Sequence, residues 1–171
     1  MKPFLIYILT MLFMMSGKGQ APTADSVLKE ACSKAANQQK KVMVIFHASW
    51  CGWCQKMDAS LNDPSVKPFF DKNFVITHLT IDEVKNKKQL ENPGAEELNK
   101  KWGGAEEGIP FWVILDKDGI LLATSNDPSG ENVGCPATAK EVQYFVQVLK
   151  KTTPINSQQL AAVIKRFSRN E

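Results

Sequence analysis

The run Trp50-Cys51-Gly52-Trp53-Cys54 follows directly on a short apolar stretch at residues 42–46. A strand that runs into C-x-x-C at the start of a helix is the arrangement used for thiol–disulfide exchange. The spacing lets the two sulfurs close a small ring with little movement of the backbone. The helix N-terminus adds partial positive charge that favours a thiolate on the first cysteine.

Residues 1–21 read as a signal peptide rather than as part of the fold. Lys2 is a minimal positive start, residues 4–15 are apolar apart from Thr10, and small residues follow at 16–21. This apolar segment is about 12 residues long, short of the roughly 20 that span a bilayer. A short uncleaved anchor is the alternative. Cleavage after Gly19 and cleavage after Ala21 both fit. The first cysteine is Cys32, so no lipid-attachment site lies near the cut.

Outside the cytosol disulfides persist, so export changes how the four cysteines are read. The close pair leaves Cys32 and Cys135, either as a second, structural disulfide or as two free thiols. The full chain has a net charge of +3. Removing Lys2 and Lys18 with the first 20 residues leaves 19 basic against 18 acidic residues, or +1. That balance gives no reason to expect nucleic acid or an anionic surface as partner. A hydrophobic share of 43% and a charged share of 23% are ordinary for a globular protein.

After a short leader at 22–25, Val27, Leu28, Ala31, Cys32 and Ala35 form a helical stripe. Residues 42–47 form a buried strand, and a helix runs from Cys51 to about Leu61. Asn62-Asp63-Pro64 breaks it and starts a short helix carrying Val66, Phe69 and Phe70. Residues 74–81 are the second strand, and 85–88 a charged loop. A helix over 95–102 ends at Gly103-Gly104. Residues 111–115 and 120–124 form a hairpin around the turn at 116–119. A loop rich in Gly, Pro, Asn and Asp covers 125–136. Thr138 and Glu141 then form a capping box for a helix with Val142, Phe145, Val146 and Leu149 on one face. Pro154 separates a last helix carrying Leu160, Val163, Ile164 and Phe167.

Three stretches in this order resemble the thioredoxin family. The run from Ala48 to Cys54 is similar to A-x-W-C-G-x-C. Leu79-Thr80-Ile81-Asp82 resembles the L-x-I-D that closes the family's central strand. Gly108-Ile109-Pro110 before an apolar strand resembles the family's G-x-P. The resemblance implies an α/β thioredoxin fold: a central mixed β-sheet flanked by helices, with an extra C-terminal helix. It implies a single thioredoxin-like domain over 22–171, with its core at about 25–151 and the added helix at about 156–169. It also implies a cis peptide before Pro110, packed beside the cysteines, with Ile109 pairing its backbone with substrate. Cis X–Pro bonds are a minority, about 5–6% in folded proteins.

The activity implied is protein-disulfide oxidoreduction. Cys51 is the expected nucleophile, at the helix start and nearer solvent, and Cys54 the resolving thiol one turn deeper. Trp50, Gly52 and Trp53 are expected to meet the substrate together with Ile109 and Pro110, the two indoles forming an apolar rim. Classical members carry a buried Asp six residues before the first cysteine, and here that position is Ile45; their lysine partner falls at His78. His47 and His78 are therefore the candidates for tuning thiol pKa and moving the proton of Cys54, with water as the alternative.

Gly52-Trp53 leans toward a reductase or isomerase over a strong oxidase by family analogy. The expected partners are protein disulfides or dithiols and an external electron donor or acceptor, such as a membrane redox protein. No cofactor, no metal and no nucleic acid are expected, and the chain is expected to be monomeric. A signal peptide without an ER retrieval signal points to a bacterial periplasm or another extracytoplasmic space. Two rival readings stand beside this one. One is a binding module whose cysteines only staple the helix. The other is a copper- or zinc-handling protein using the cysteine pair with His47 or Met57.

Overall fold

The computed structural model describes residues 20–170. The expected signal peptide lies outside the described residues except for Gln20 and Ala21. Five apolar residues in a row, Val42 to Phe46, suit a strand covered on both faces. β1 (Lys41–His47) accordingly lies inside a four-stranded sheet. On one side it pairs in parallel with β2 (Phe74–Thr80). On the other it pairs antiparallel with β3 (Phe111–Leu115), which continues through the Asp116–Gly119 turn into β4 (Leu121–Thr124). The order β2-β1-β3-β4 is a mixed sheet flanked by helices, as the resemblance implied.

Alternation along β1 divides the core in two. Val42, Val44 and Phe46 face Ala31 and Ala35 of α1 (Ala24–Gln38) and Ala95 of α4 (Ala95–Lys101). Met43 and Ile45 face the opposite layer, a cluster built from four helices. They are α2 (Gly52–Leu61), α3 (Lys67–Asn73), α5 (Ala139–Thr152) and α6 (Ser157–Phe167). Phe70, Phe145, Phe167 and Trp112 meet there in stacked, edge and tilted contacts, with Trp112 and Phe145 centroids 5.4 Å apart.

The capping box of α5 forms as read: Glu141 accepts from the Thr138 and Ala137 amides, both at 2.9 Å. A second capping box, Asn156 with Gln159, opens α6. Local chemistry moves several boundaries from their expected places. Thr23 accepts from the Ser26 amide at 3.2 Å and starts α1 at Ala24, inside the expected leader. β2 ends at Thr80, and the charged loop is a 3₁₀ helix over Lys85–Leu90.

Of the two alternatives for Cys32 and Cys135, a second disulfide or two free thiols, the structure has the free thiols. Cys32 is half-buried against the α1 layer, whereas Cys135 lies in the core of the other layer. The sheet stands between them, which excludes a bond.

Phe145 is fully buried among aromatic neighbours. Phe145→Ala should lower unfolding stability by about 3–5 kcal/mol through lost burial and an unfilled cavity. The shift of the urea midpoint at unchanged slope measures it.

Candidate active site

β1 ends at His47, and the backbone turns through Ala48, Ser49 and Trp50, with the Cys51 amide donating to the Ala48 carbonyl at 3.1 Å. Cys51 takes the N-cap position of α2, and its Sγ accepts from the Cys54 backbone N–H at 3.0 Å. Cys51 and Cys54 are joined in a disulfide. An anion on Cys51 Sγ would meet both that N–H and the positive end of the helix.

Exposure does not rank the two sulfurs as expected: Cys51 is 3% exposed and Cys54 2%. Both pack with Ala48 and Ile109. What separates them is position, since Cys51 holds the cap and lies against the Ile109 carbonyl. Its Sγ lies 3.5 Å from the Ile109 carbonyl oxygen, a contact in the disulfide, where the sulfur carries no hydrogen. The Ile109–Pro110 peptide is cis.

Asn132 fixes this segment. Its Nδ2 lies 3.1 Å from the Glu107 carbonyl, 3.3 Å from that of Gly108 and 3.2 Å from that of Pro110. Its Oδ1 accepts from the Gly134 amide at 2.9 Å. Gly134 has φ +48°, and a Cβ there would lie 3.2 Å from the Pro110 carbonyl, so a side chain would be strained and crowded.

Trp50 and Trp53 are 54% and 48% exposed, so neither belongs to the core. Trp50 Nε1 donates to the Asp82 carbonyl at 2.7 Å, which ties the loop to the end of β2. The buried carboxylate of Glu83 fastens the same loop by accepting from the Ser49 amide and, at 2.9 Å, from its hydroxyl. Burial opposes the Glu83 charge, but the Ser49 hydrogen bonds and the nearby Lys87 outweigh it and hold the carboxyl below its ordinary pKa. A cleft of about 320 Å³ opens beside Trp53, lined also by Ile109, Pro110, Gly134, Cys135 and Glu141. Gly52 is exposed, and a Cβ there would meet nothing within 4 Å.

His47 and His78 come together on the face of the sheet that α2 covers, with ring centroids 4.9 Å apart. His78 Nε2 is 2.8 Å from Asp58 Oδ1 on α2, and His47 Nε2 is 3.2 Å from Thr80 Oγ1. Burial first, and then the neighbouring His78, lower the His47 pKa. Ile45 is buried in the apolar layer, so no carboxylate occupies that position. Met57 is fully buried. Among the described residues no three His, Cys, Asp or Glu side chains are grouped to hold a metal ion. No described helix is long and apolar enough to cross a membrane.

Sequence reasoning missed Asp58, Glu83 and Asn132. Asp58 was detectable from its place four residues after Cys54, one turn along the same helix. Glu83 and Asn132 act through folded loops and leave no periodic signal.

The family described as thioredoxin-like matches residues 23–117. A disulphide isomerase from Xylella fastidiosa Temecula1 aligns over 95% of this chain and 98% of its own, with 17% identity and a TM-score of 0.51, a likeness of fold. A protein described as DsbH oxidoreductase aligns over 86% and 95%, with 20% identity and a TM-score of 0.46. The oxidised C-terminal domain of DsbD from Neisseria meningitidis aligns over 61% and 84%, with 26% identity and a TM-score of 0.41. No curated protein matches the chain.

Two outcomes follow from the thiols and the histidine pair. Burial pushes the Cys135 thiol up to about 12. In fully reduced native protein at pH 7.5, iodoacetamide should therefore label Cys51 well before Cys135, as read by peptide mass spectrometry. The lowered pKa of His47 sets a second sign. Unfolded chain takes up a proton at this residue near pH 6.5, whereas the folded state resists it. Stability should fall as pH drops through about 6.5 toward 5, and His47→Gln should flatten that decline in urea midpoints.

Proposed function

We propose that this chain, which belongs to the thioredoxin-like family, is a thiol–disulfide oxidoreductase that acts on protein substrates through Cys51 and Cys54. The observation that carries this reading is the Cys51–Cys54 disulfide at the start of α2, set against the cis Ile109–Pro110 segment. In the reducing direction the Cys51 thiolate attacks one sulfur of a substrate disulfide. A mixed disulfide forms and the substrate's other sulfur leaves as a thiolate, which takes a proton from solvent. Cys54, once deprotonated, attacks Cys51 Sγ, closes the internal disulfide and releases the second substrate thiol. The reverse flow donates a disulfide.

Each neighbouring residue has a role in this scheme. The Cys54 N–H and the α2 terminus stabilise negative charge on Cys51. Trp50 and Trp53 give an apolar rim, and the Ile109 backbone and Pro110 line the opening, which suits an extended polypeptide. His47 and His78 are the groups placed to tune the thiols and relay a proton, with Asp58 holding His78. Gly52-Trp53 favours reductase or isomerase work over strong oxidation. Each turnover changes the redox state of the pair, so a donor or acceptor outside the chain must restore it, and a membrane redox protein fits that need. We place the protein as a monomer in a bacterial periplasm or similar extracytoplasmic space. On this reading residues 1–21 are a cleaved signal peptide and 22–171 a single domain.

Trapping tests the reading. With the resolving thiol removed, Cys54→Ser expressed with its leader should accumulate mixed disulfides with exported proteins through Cys51, visible as bands that collapse on reduction. Cys51→Ser/Cys54→Ser should show none. Absence of trapped species in the single variant would favour a binding module with a stapling disulfide.

A further inference from the structure

Asn170 follows α6 and is only 4% exposed despite its polar side chain. Every part of it is engaged. Its Nδ2 donates to the Pro136 carbonyl at 3.0 Å and approaches Cys135 Sγ at 3.4 Å. Its Oδ1 accepts from Ser60 Oγ on α2 at 3.1 Å and from Arg166 Nη1 at 3.0 Å. Its backbone carbonyl accepts from Lys56 Nζ, also on α2, at 3.0 Å. Arg166 Nε in turn pairs with Asp63 Oδ2 at 3.0 Å.

The Lys56 ammonium also lies 4.2 Å from the centre of the Trp53 ring. A cation over an indole face orients that ring as well as attracting it. Trp53 and Cys135 both line the cleft that Ile109 and Pro110 also line. Asn170 thus reaches both: Trp53 through Lys56, and the Cys135-Pro136 segment directly. It lies well beyond residues 23–117, where the family match ends.

We infer that Asn170 is a positioning residue that ties together two parts of the cleft lining, Trp53 and the Cys135-Pro136 segment, and so sets how a polypeptide disulfide is held beside Cys51. The inference rests on the exchange reading given above. Asn170 touches neither Cys51 nor Cys54, so the clasp governs the fit of a polypeptide and leaves the sulfur chemistry alone. A small disulfide with no chain to seat in the cleft is indifferent to it.

The test uses the full chain with dithiothreitol as donor and compares insulin with hydroxyethyl disulfide as substrate. Lys56→Met keeps the stem and removes the ammonium; Asn170→Ala removes the side-chain anchor. Each should raise the KM for insulin roughly fivefold, the size of losing one ordinary hydrogen bond. Turnover of hydroxyethyl disulfide, and the equilibrium constant of the Cys51–Cys54 pair with glutathione, should stay within about twofold of the parent. Asn170→Ala should also make Cys135 react faster with iodoacetamide, and Lys56→Met should not. An unchanged insulin KM in Lys56→Met overturns the inference. So does an equal loss on both substrates, which would mark general damage. If Asn170→Ala fails to fold, Asn170→Asp, which keeps the acceptor and loses the donor, takes its place with the same expected outcomes. A parent protein that reduces neither substrate defeats the exchange reading. The clasp then stands or falls on the Cys135 alkylation rates.

Discussion

The hydrogen bond from the Cys54 backbone N–H to Cys51 Sγ gives one sulfur two duties. It caps α2, where the first N–H groups of any helix lack partners. On the proposed mechanism it is also the atom that bears charge when the disulfide opens. A serine or aspartate would cap as well, but neither could exchange disulfides. The arrangement holds only if the end of β1 is fixed relative to α2, and burial of β1 on both faces fixes it. Glu83 and Asp82 fasten the connecting loop to the end of β2, while Asn132 fastens the Ile109-Pro110 segment from the opposite side. The sulfurs therefore sit between two loops, each tied by polar bonds to a sheet that cannot shift without opening its core.

Charge around the site lies off-centre. With Ile45 in the apolar layer, no carboxylate sits at the position where a classical member keeps one. Ionisable groups appear instead at the half-exposed margin of the sheet, as Asp58, His78 and His47. A carboxylate buried under a thiol would raise the cost of forming a thiolate; one at the margin, hydrogen-bonded to His78 and screened by water, does so far less. His47, kept neutral by burial and by its neighbour, adds no competing positive charge at neutral pH.

Patterns of period two and period 3.6 were legible in the sequence, and they account for most of the fold. The unbroken apolar run at 42–46 marked a strand covered on both sides, and Thr138 with Glu141 marked the start of α5. The cysteine pair was visible because its chemistry needs a fixed spacing along one helical turn. Interactions between loops were not legible. Glu83 reaching Ser49 spans 34 residues, and Asn170 reaching Cys135 spans 35, and neither belongs to a repeating pattern. Cys32 and Cys135 show the same limit. Their number left a bond and two free thiols equally open, and only the placement of the sheet shows that they lie in different layers.

Residues outside the family match shape the site as much as those within it. Trp112 Nε1 donates to the Gly134 carbonyl at 2.8 Å, so a core residue of β3 sets the height of the loop that passes Pro110. Gly134 must then stay close to Pro110, which its positive φ and missing side chain permit. The same loop carries Cys135 into the core, where burial keeps its thiol protonated. On the proposed mechanism, a third thiol with an ordinary pKa on this cleft would compete for the mixed disulfide. Packing of α5 and α6 over that loop both builds one wall of the cleft and removes the competitor, and one act of burial accounts for the two effects.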